Sequence, residues 1–489
     1  MADYLSPAHF LSLPRPDAQV GTPQGVPDTS TLAAADFDVD NRTGFMPPQP
    51  ALARLPSDWD IWEEVMEEAI TKKIKLGSRE DLTEEDKEAS ERWRERVRQM
   101  PVLPTEDLNR SEFLLRRAHH VLAHVMHFYV NSQPAASASQ IIIPRSITLP
   151  HLRISAQLQL PPVVTYSDDV LYNWDYKDSS LPDPYRIPTT ENIKAVTLFT
   201  GTRDEEEFYL SSARVELRGV EALELMRLTM DEAFVGDAIA FRRITSHLHD
   251  MVDVIKGMTQ QLVRVREGCD PSTFYNEIRP WFKGADSAQG SWVFEGLDED
   301  STLLEPKELS GTSAGQSSII HALDIFFGVD QYSHSLTLSG SSTDQGASNA
   351  SYNQPDKKSF LSRMQAYMPR YHRAFLNHLS ANPRPLRTLV AAHAHDAPEL
   401  LDAYNVAVTA LKEFRDAHMR IVAIYIIGPS RKAASSAQEK QDEKKRLADV
   451  DVDGKESLKG TGGTDLVKFL KGVRDRTASA VMSQPAQAA

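Results

Sequence analysis

The chain predicts a mainly α fold, and three features carry that prediction. Glycine makes up only 23 of 489 residues, about 5% against a usual ~7%, which implies few tight turns and few hairpins. From Glu216 to Val265 apolar residues recur every three or four positions, the period of helices with one buried face, with breaks only near Gly219 and Gly236. In Pro398–Ile427 the residues Tyr404, Val408, Leu411, Phe414, His418, Ile421 and Tyr425 follow the same period, which makes one long helix.

The remaining elements follow in chain order. Residues 17–52 are rich in Pro, Asp, Gly and Thr without periodicity, so they read as an arm laid over the surface or as a partly disordered segment. Residues 57–99 read as helical, and the charged run ending near Arg98 is a solvated helix face. FLLRRAHHVLAHVMHFYV, from Phe113, is another helix. Four prolines between Ile141 and Thr165 favour extended segments and a linker. Residues 333–356, rich in Ser, Gly, Asp and Asn, and residues 430–459, almost without apolar anchors, are expected to be polar loops, the second of them mobile.

Composition excludes several classes of function. The formal charge is 54 − 69 = −15, the wrong sign for a general nucleic-acid binder, which needs a basic stripe to displace counterions. Cys269 is the single cysteine, so an intrachain disulfide, a cysteine-based zinc site and an iron–sulfur cluster are ruled out, and a reducing compartment is indicated. The three N-x-[ST] matches, at Asn41, Asn109 and Asn349, are then read as chance. No secretory signal is visible at the N-terminus, and IVAIYIIG, from Ile421, is far shorter than the roughly twenty residues of a membrane helix. A soluble, cytoplasmic protein is expected.

Several motifs are decoys. His120, His124 and His127 stack on one helix face at a spacing that suits zinc, but Val121 stands where a zincin carries glutamate, so they read as polar tips on a mostly buried helix. His247 with His249 and His393 with His395 are two residues apart and point to different helix faces. The glycine cluster Gly460–Thr464 lacks the Lys-Ser/Thr of a phosphate loop; on its own it reads as a helix-entry turn, or as backbone N–H groups closing over an anion. His418 differs from these because it falls on an apolar stripe. The pattern leaves it open between a core histidine with satisfied nitrogens, the commoner case, and a haem ligand. Arg415 lies on nearly the same face one turn earlier. Asp324, which interrupts the apolar helix IIHALDIFFG, is its best partner.

Taken together, LPPVVTYSDDVLYNWDYKD from Leu160, FYLSSARVE from Phe208, FYNEIRPWFKG from Phe274, SGTSAGQSSI from Ser310, FLSRMQAYMPRYHRAFL from Phe360, FRDAHMRIV from Phe414 and GTGGTDLVKFLKGVR from Gly460 resemble the indoleamine 2,3-dioxygenases. The segments run in family order, and the resemblance covers most of the chain. It implies a smaller, mixed but mostly helical domain with its linker over 36–198 and a large all-helical haem-binding domain over 199–489, while the N-terminal arm over 1–35, expected to be flexible, is a departure from the family. The smaller domain caps the distal side. His418 matches the proximal iron ligand of haem b, and Arg415 with Asp324 resembles the proximal ion pair. Tyr166, Phe208 and Phe274 match the aromatic walls of the indole pocket, and Ser212 matches the distal hydroxyl. Arg279 matches the arginine that binds the substrate carboxylate. Gly462, Gly463 and Thr464 match the loop that closes over the amino-acid end of the substrate. Ala314 and Gly315 resemble the small residues beside the haem, with Ser313 within reach of a propionate.

The resemblance also implies the chemistry. Both atoms of O2 enter across the indole C2–C3 bond of L-tryptophan, or of a related indoleamine, to give N-formyl-L-kynurenine. That is the first step of kynurenine-pathway catabolism feeding NAD biosynthesis. The active haem is ferrous, an electron donor keeps it reduced, and a monomer without membrane or nucleic-acid partners is expected. A rival reading, supported by the expanded 333–356 loop and by a polar Ser211 where the family often has an apolar residue, is a haem-binding redox or gas-responsive module with little tryptophan turnover. A third is a helical scaffold without haem.

Overall fold

The structure is a computed structural model that describes residues 37–134, 140–178, 186–287, 290–329, 363–433, 435 and 466–483. The arm over 1–35, the 333–356 loop and nearly all of 430–459 lie outside the described residues. What is described is mainly helical, as the sequence predicts. Among the described residues no helix is long and apolar enough to cross a membrane.

Among the described residues, four α-helices come first: α1 (Asp60–Thr71), α2 (Glu84–Gln99), α3 (Glu112–Asn131) and α4 (Arg145–Leu158). The 57–99 stretch divides at Gly77, where a Cβ would lie 1.9 Å from the Gln133 carbonyl oxygen, so only glycine lets the two backbones meet. A capping box then starts α2: the Thr83 hydroxyl accepts from the Asp86 N–H, and the Asp86 carboxylate accepts from the Thr83 N–H. The expected extended segment over Ile141–Thr165 is corrected, because α4 occupies much of it with Pro150 inside. Pro150 removes one N–H from the helical ladder, but Ile147, Leu152, Ile154 and Leu158 are all buried, and burial of that face outweighs one missing bond. Pro144, just before the helix, has an extended backbone and starts it without strain.

The 37–52 part of the proline-rich stretch packs on the protein through Val39, Phe45 and Met46. After α4 come α5 (Arg203–Arg218), α6 (Val220–Val235) and α7 (Ala238–Val263), divided at Gly219 and Gly236 as the periodicity predicts. Gly236 has φ +67°, the left-handed helix terminator, and the Asp237 carboxylate caps α7 by accepting from the N–H groups of Ile239 and Ala240. Next are α8 (Ser318–Phe326), α9 (Arg370–Ser380), α10 (Leu386–Ala392), α11 (Pro398–Val422, continued by a π turn over Ala423–Ile427) and α12 (Leu466–Ser479). Strands are few. β1 (Gln140–Ile143) pairs in parallel with β4 (Ser291–Phe294), Ile141 opposite Trp292, and β2 (Trp174–Tyr176) pairs antiparallel with β3 (Ile193–Ala195).

One apolar core gathers α1–α4 with Phe199, Phe274, Trp281 and Phe282. A second is built by α6, α7, α8, α10 and α11, with Leu248, Ile255, Leu323, Tyr404 and Leu411 at its centre. A smaller cluster includes Tyr166, Trp174, Leu210 and Ala213. It brings the Tyr166 segment against α5.

Candidate active site

Helices α5, α7, α8, α11 and α12 meet the Tyr166 segment and the 314–317 turn around a cavity of about 810 Å³, counting the part that opens to solvent. That volume lies within the range of small-molecule and cofactor sites. Seven residues singled out in the sequence line it: Tyr166, Ser212, Ala314, Gly315, Asp324, Arg415 and His418. Val215, Leu262, Ile320, Phe414 and Met419 supply most of its apolar wall.

His418 projects from α11 and stays partly exposed in the cavity wall. Burial, with the Arg415 charge adding to it, lowers its pKa to about 4, so the imidazole is neutral at pH 7 and free to offer a lone pair. Among the described residues neither ring nitrogen has a hydrogen-bond partner, so an acceptor holding its second N–H is not found there. Arg415 is paired as the sequence suggests: it donates to the Asp324 carboxylate from α8 and to the Thr477 hydroxyl of α12. Both charged side chains are less than one-tenth exposed, so each one's burial is tolerable only because of the other.

On another part of the wall, the Tyr166 hydroxyl donates to Glu216 Oε1 at 2.9 Å and the Ser317 hydroxyl donates to the same oxygen at 2.6 Å. The Tyr166 main-chain N–H donates to Gln316 Oε1 at 2.8 Å. Burial first, then the adjacent Glu216 charge, drives the Tyr166 phenol pKa well up, so it stays protonated. Burial likewise raises the Glu216 carboxyl to about 7, against the two hydroxyl bonds that favour its ionised form. Glu216 and Gln316, which hold this part of the wall by hydrogen bonds, were not singled out in the sequence. The available signal was Glu216 standing one turn after Ser212 on α5.

Among the described residues, Phe208, Phe274, Arg279 and Ser313 do not line the cavity. Phe208 and Phe274 pack ring on ring, centroids 4.4 Å apart, against Phe282 and Tyr425. Phe208 lies one turn before Ser212 on the same face of α5. Arg279 is buried, its guanidinium 5.6 Å from the Tyr275 ring centroid, and burial lowers its pKa while Tyr275 opposes the shift. The Ser313 hydroxyl accepts from the Gly315 N–H at 3.2 Å and so shapes the 314–316 turn. Gly462, Gly463 and Thr464 lie outside the described residues.

The three decoy histidines of α3 are enclosed in the core. His127 donates from Nδ1 to the Trp281 carbonyl at 2.8 Å and accepts from the Val164 N–H at Nε2, and His120 and His124 are buried beside it. Among the described residues no group of three or more His, Cys, Asp or Glu side chains is placed to hold a metal ion. One neutral histidine, partly exposed in a cofactor-sized cavity between helices and flanked by a buried Arg–Asp pair and by Ala314 and Gly315, fits the axial ligand of a haem.

The family model "Indoleamine 2,3-dioxygenase" matches residues 33–480. Indoleamine 2,3-dioxygenase 1 of Mus musculus is 30% identical over 450 residues, covering 92% of this chain and 96% of that protein. Indoleamine 2,3-dioxygenase of Saccharomyces cerevisiae is 31% identical over 435 residues, 82% of this chain and 90% of that one. 6-Hydroxytryptophan 2,3-dioxygenase of Fusarium equiseti is 28% identical over 441 residues, 90% and 95% of the two chains. The chain therefore belongs to the indoleamine 2,3-dioxygenase family. The family is one of haem-dependent dioxygenases acting on indole substrates.

Proposed function

We propose that this protein inserts both atoms of O2 across the C2–C3 bond of L-tryptophan to give N-formyl-L-kynurenine, the entry to kynurenine-pathway catabolism and NAD biosynthesis. The observation that carries the reading is a neutral His418 in the wall of the cavity that also receives Tyr166 and Ser212. Haem b held there, ferrous in the working state, supplies the binding and activation of O2. His418 would ligate its iron, Ala314 and Gly315 would leave room for it, and Ser313 would help to hold its carboxylate groups.

The chain's own task is to bind and orient the substrate. Tyr166 offers flat apolar surface to an indole in the cavity, and the Phe208–Phe274 pair, which lies outside the cavity wall, would extend that surface beyond Ser212. Arg279 binds the substrate carboxylate as a two-pronged donor, and Gly462, Gly463 and Thr464 close over its amino-acid end. Ser212 offers a hydroxyl and no strong base, so it tunes hydrogen bonds and does not abstract a proton. The protein works as a cytoplasmic monomer, with an electron donor that keeps the haem reduced. Residues 36–198 form the smaller distal-side domain and 199–489 the catalytic one.

The test is haem-loaded, reduced protein mixed with L-tryptophan in air. N-formylkynurenine absorbance is expected, along with loss of the native Soret band in His418→Ala. A normal Soret band without product from tryptophan would overturn the assignment. Because the Fusarium relative is named for 6-hydroxytryptophan, that compound is assayed in parallel, and a higher kcat/KM for it would move the substrate to a hydroxylated indole.

A further inference from the structure

We propose that Glu216 is a positioning residue that fixes one wall of the cavity by holding the Tyr166 phenol and the Ser317 hydroxyl on a single carboxylate oxygen. The inference rests on reading the cavity as the cofactor and substrate site. Glu216 does not touch that space; it acts through two residues that do.

Three segments distant in the chain meet at this carboxyl. Tyr166 is pinned at its ring by Glu216 and at its main chain by Gln316, whose side-chain amide in turn donates to the Gly311 carbonyl at 3.0 Å. Both pins tie the Tyr166 segment to the 311–317 stretch, and one of them passes through α5. Ser212, one turn before Glu216, therefore shares a rigid mounting with Tyr166 and Ser317.

The arrangement is poorly explained as a stability device. Glu216 is 2% exposed and its Oε2 has no hydrogen-bond partner, so the carboxyl carries a desolvation cost that an apolar residue of similar shape would not. Ser317 stands at the N-cap of α8, where a serine usually accepts from the first-turn N–H groups, yet its side chain makes no cap bond and turns to Glu216 instead. Two local rules are broken at one point, and both breaks serve to immobilise cavity-lining hydroxyls. Such conflicts concentrate where function sets geometry.

The experiment compares full-length, haem-loaded Glu216→Gln and Glu216→Leu with wild type. Glutamine keeps an acceptor oxygen for both hydroxyls, so KM for L-tryptophan stays within about twofold. Leucine removes it, so KM rises about tenfold, about threefold for each of the two hydrogen bonds lost, with kcat within about threefold. Amide exchange supplies a second readout that needs neither haem nor turnover: protection falls at 163–171 and 311–320 in Glu216→Leu, is retained in Glu216→Gln, and does not change in α7. Wild-type KM and protection in Glu216→Leu would overturn the proposal, as would a glutamine variant as impaired as the leucine one. If Glu216→Leu fails to fold, Ser317→Ala is used to remove one of the two ties, with an expected threefold rise in KM and lost protection at 163–171; no change in either overturns it. Absence of turnover in wild type would refute the functional reading instead, and the exchange measurement would still decide the role of Glu216.

Discussion

The Arg415–Asp324 pair offers the sharpest test of how the cavity is held together. Arg415 on α11 reaches Asp324 on α8 and Thr477 on α12, so one guanidinium ties three helices. The side chains are 8% and 7% exposed, and removing one partner of such a pair leaves a buried charge uncompensated, at about 3–5 kcal/mol. Both residues also line the cavity, where water can partly solvate a stranded charge in haem-free protein, so the lower end, about 3 kcal/mol, is expected for Asp324→Leu. Arg415→Met strands the carboxylate and costs a similar amount. The double variant removes both charges and should lie within about 1 kcal/mol of wild type, because well-packed apolar replacements of a buried pair are often neutral. Urea unfolding of all four haem-free proteins gives the cycle, and costs of about 3 kcal/mol for each single variant with at most about 1 for the double one imply a coupling of about 5 kcal/mol. Single variants that each cost less than about 1 kcal/mol, or costs that simply add, would mean the pair is solvated and does not bind the helices together.

Three further outcomes follow from the site. Arg279→Ala should lower kcat/KM for L-tryptophan at least tenfold but leave it within twofold for tryptamine, which lacks the carboxylate; equal losses for both would show that Arg279 supports the fold and not the substrate. The Glu216 carboxyl, raised from 4.5 to about 7 in the folded protein, keeps its proton there while the unfolded chain loses it. Its contribution to stability is therefore largest below pH 4.5, is lost as pH rises towards 7, and amounts to about 3 kcal/mol at full extent. Urea midpoints of Glu216→Gln should gain on wild type between pH 5 and 8, and a constant difference across that range would contradict the assignment. His127, held at about 4 by burial, acts in the opposite sense: the unfolded chain takes up its proton first as pH falls from 6.5 towards 4. His127→Gln should therefore flatten the acid limb of the stability profile, and an unchanged limb would rule out that contribution.

The helices α5, α6, α7 and α11 were legible because they keep a clean period. Gly219 and Gly236 fall at observed breaks, and the apolar stripe of Pro398–Ile427 is the buried face of α11. Its polar interruptions were legible for the same reason, which is how Arg415 and Asp324 could be paired before any contact was seen. α4 was not legible, because four prolines outweigh a buried face when residues are read one by one, and only packing shows that Ile147, Leu152 and Ile154 bury together. Glu216 was hidden by its company: in RDEEEFYLSSARVELR it is one acidic residue among several, and tertiary structure alone decides that Glu205 and Glu216 are buried while Asp204 is not. Arg279 and the two phenylalanines came from family resemblance, and the described residues do not bring them to the cavity wall.

The histidines show why spacing was a poor guide to chemistry here. His119 places both ring nitrogens against acceptors, Asp168 Oδ1 at 3.0 Å and the Pro161 carbonyl at 3.1 Å, so both must donate and the ring is an imidazolium. Its pKa is raised despite burial, because the Asp168 charge and hydrogen bond oppose the desolvation. His127 has one nitrogen donating and the other accepting, which fixes it neutral and leaves no lone pair for a metal. These two rings are saturated by the protein, on a stretch of α3 that is buried on every side from Ala118 to Val130, so their helix spacing carries no chemical information. His418 has the opposite combination: a neutral ring, no hydrogen-bond partner among the described residues, and an edge facing open volume. Ligand competence therefore depends on a lone pair left without a protein partner beside a space large enough for the cofactor, and by that criterion His418 differs from its buried counterparts on α3.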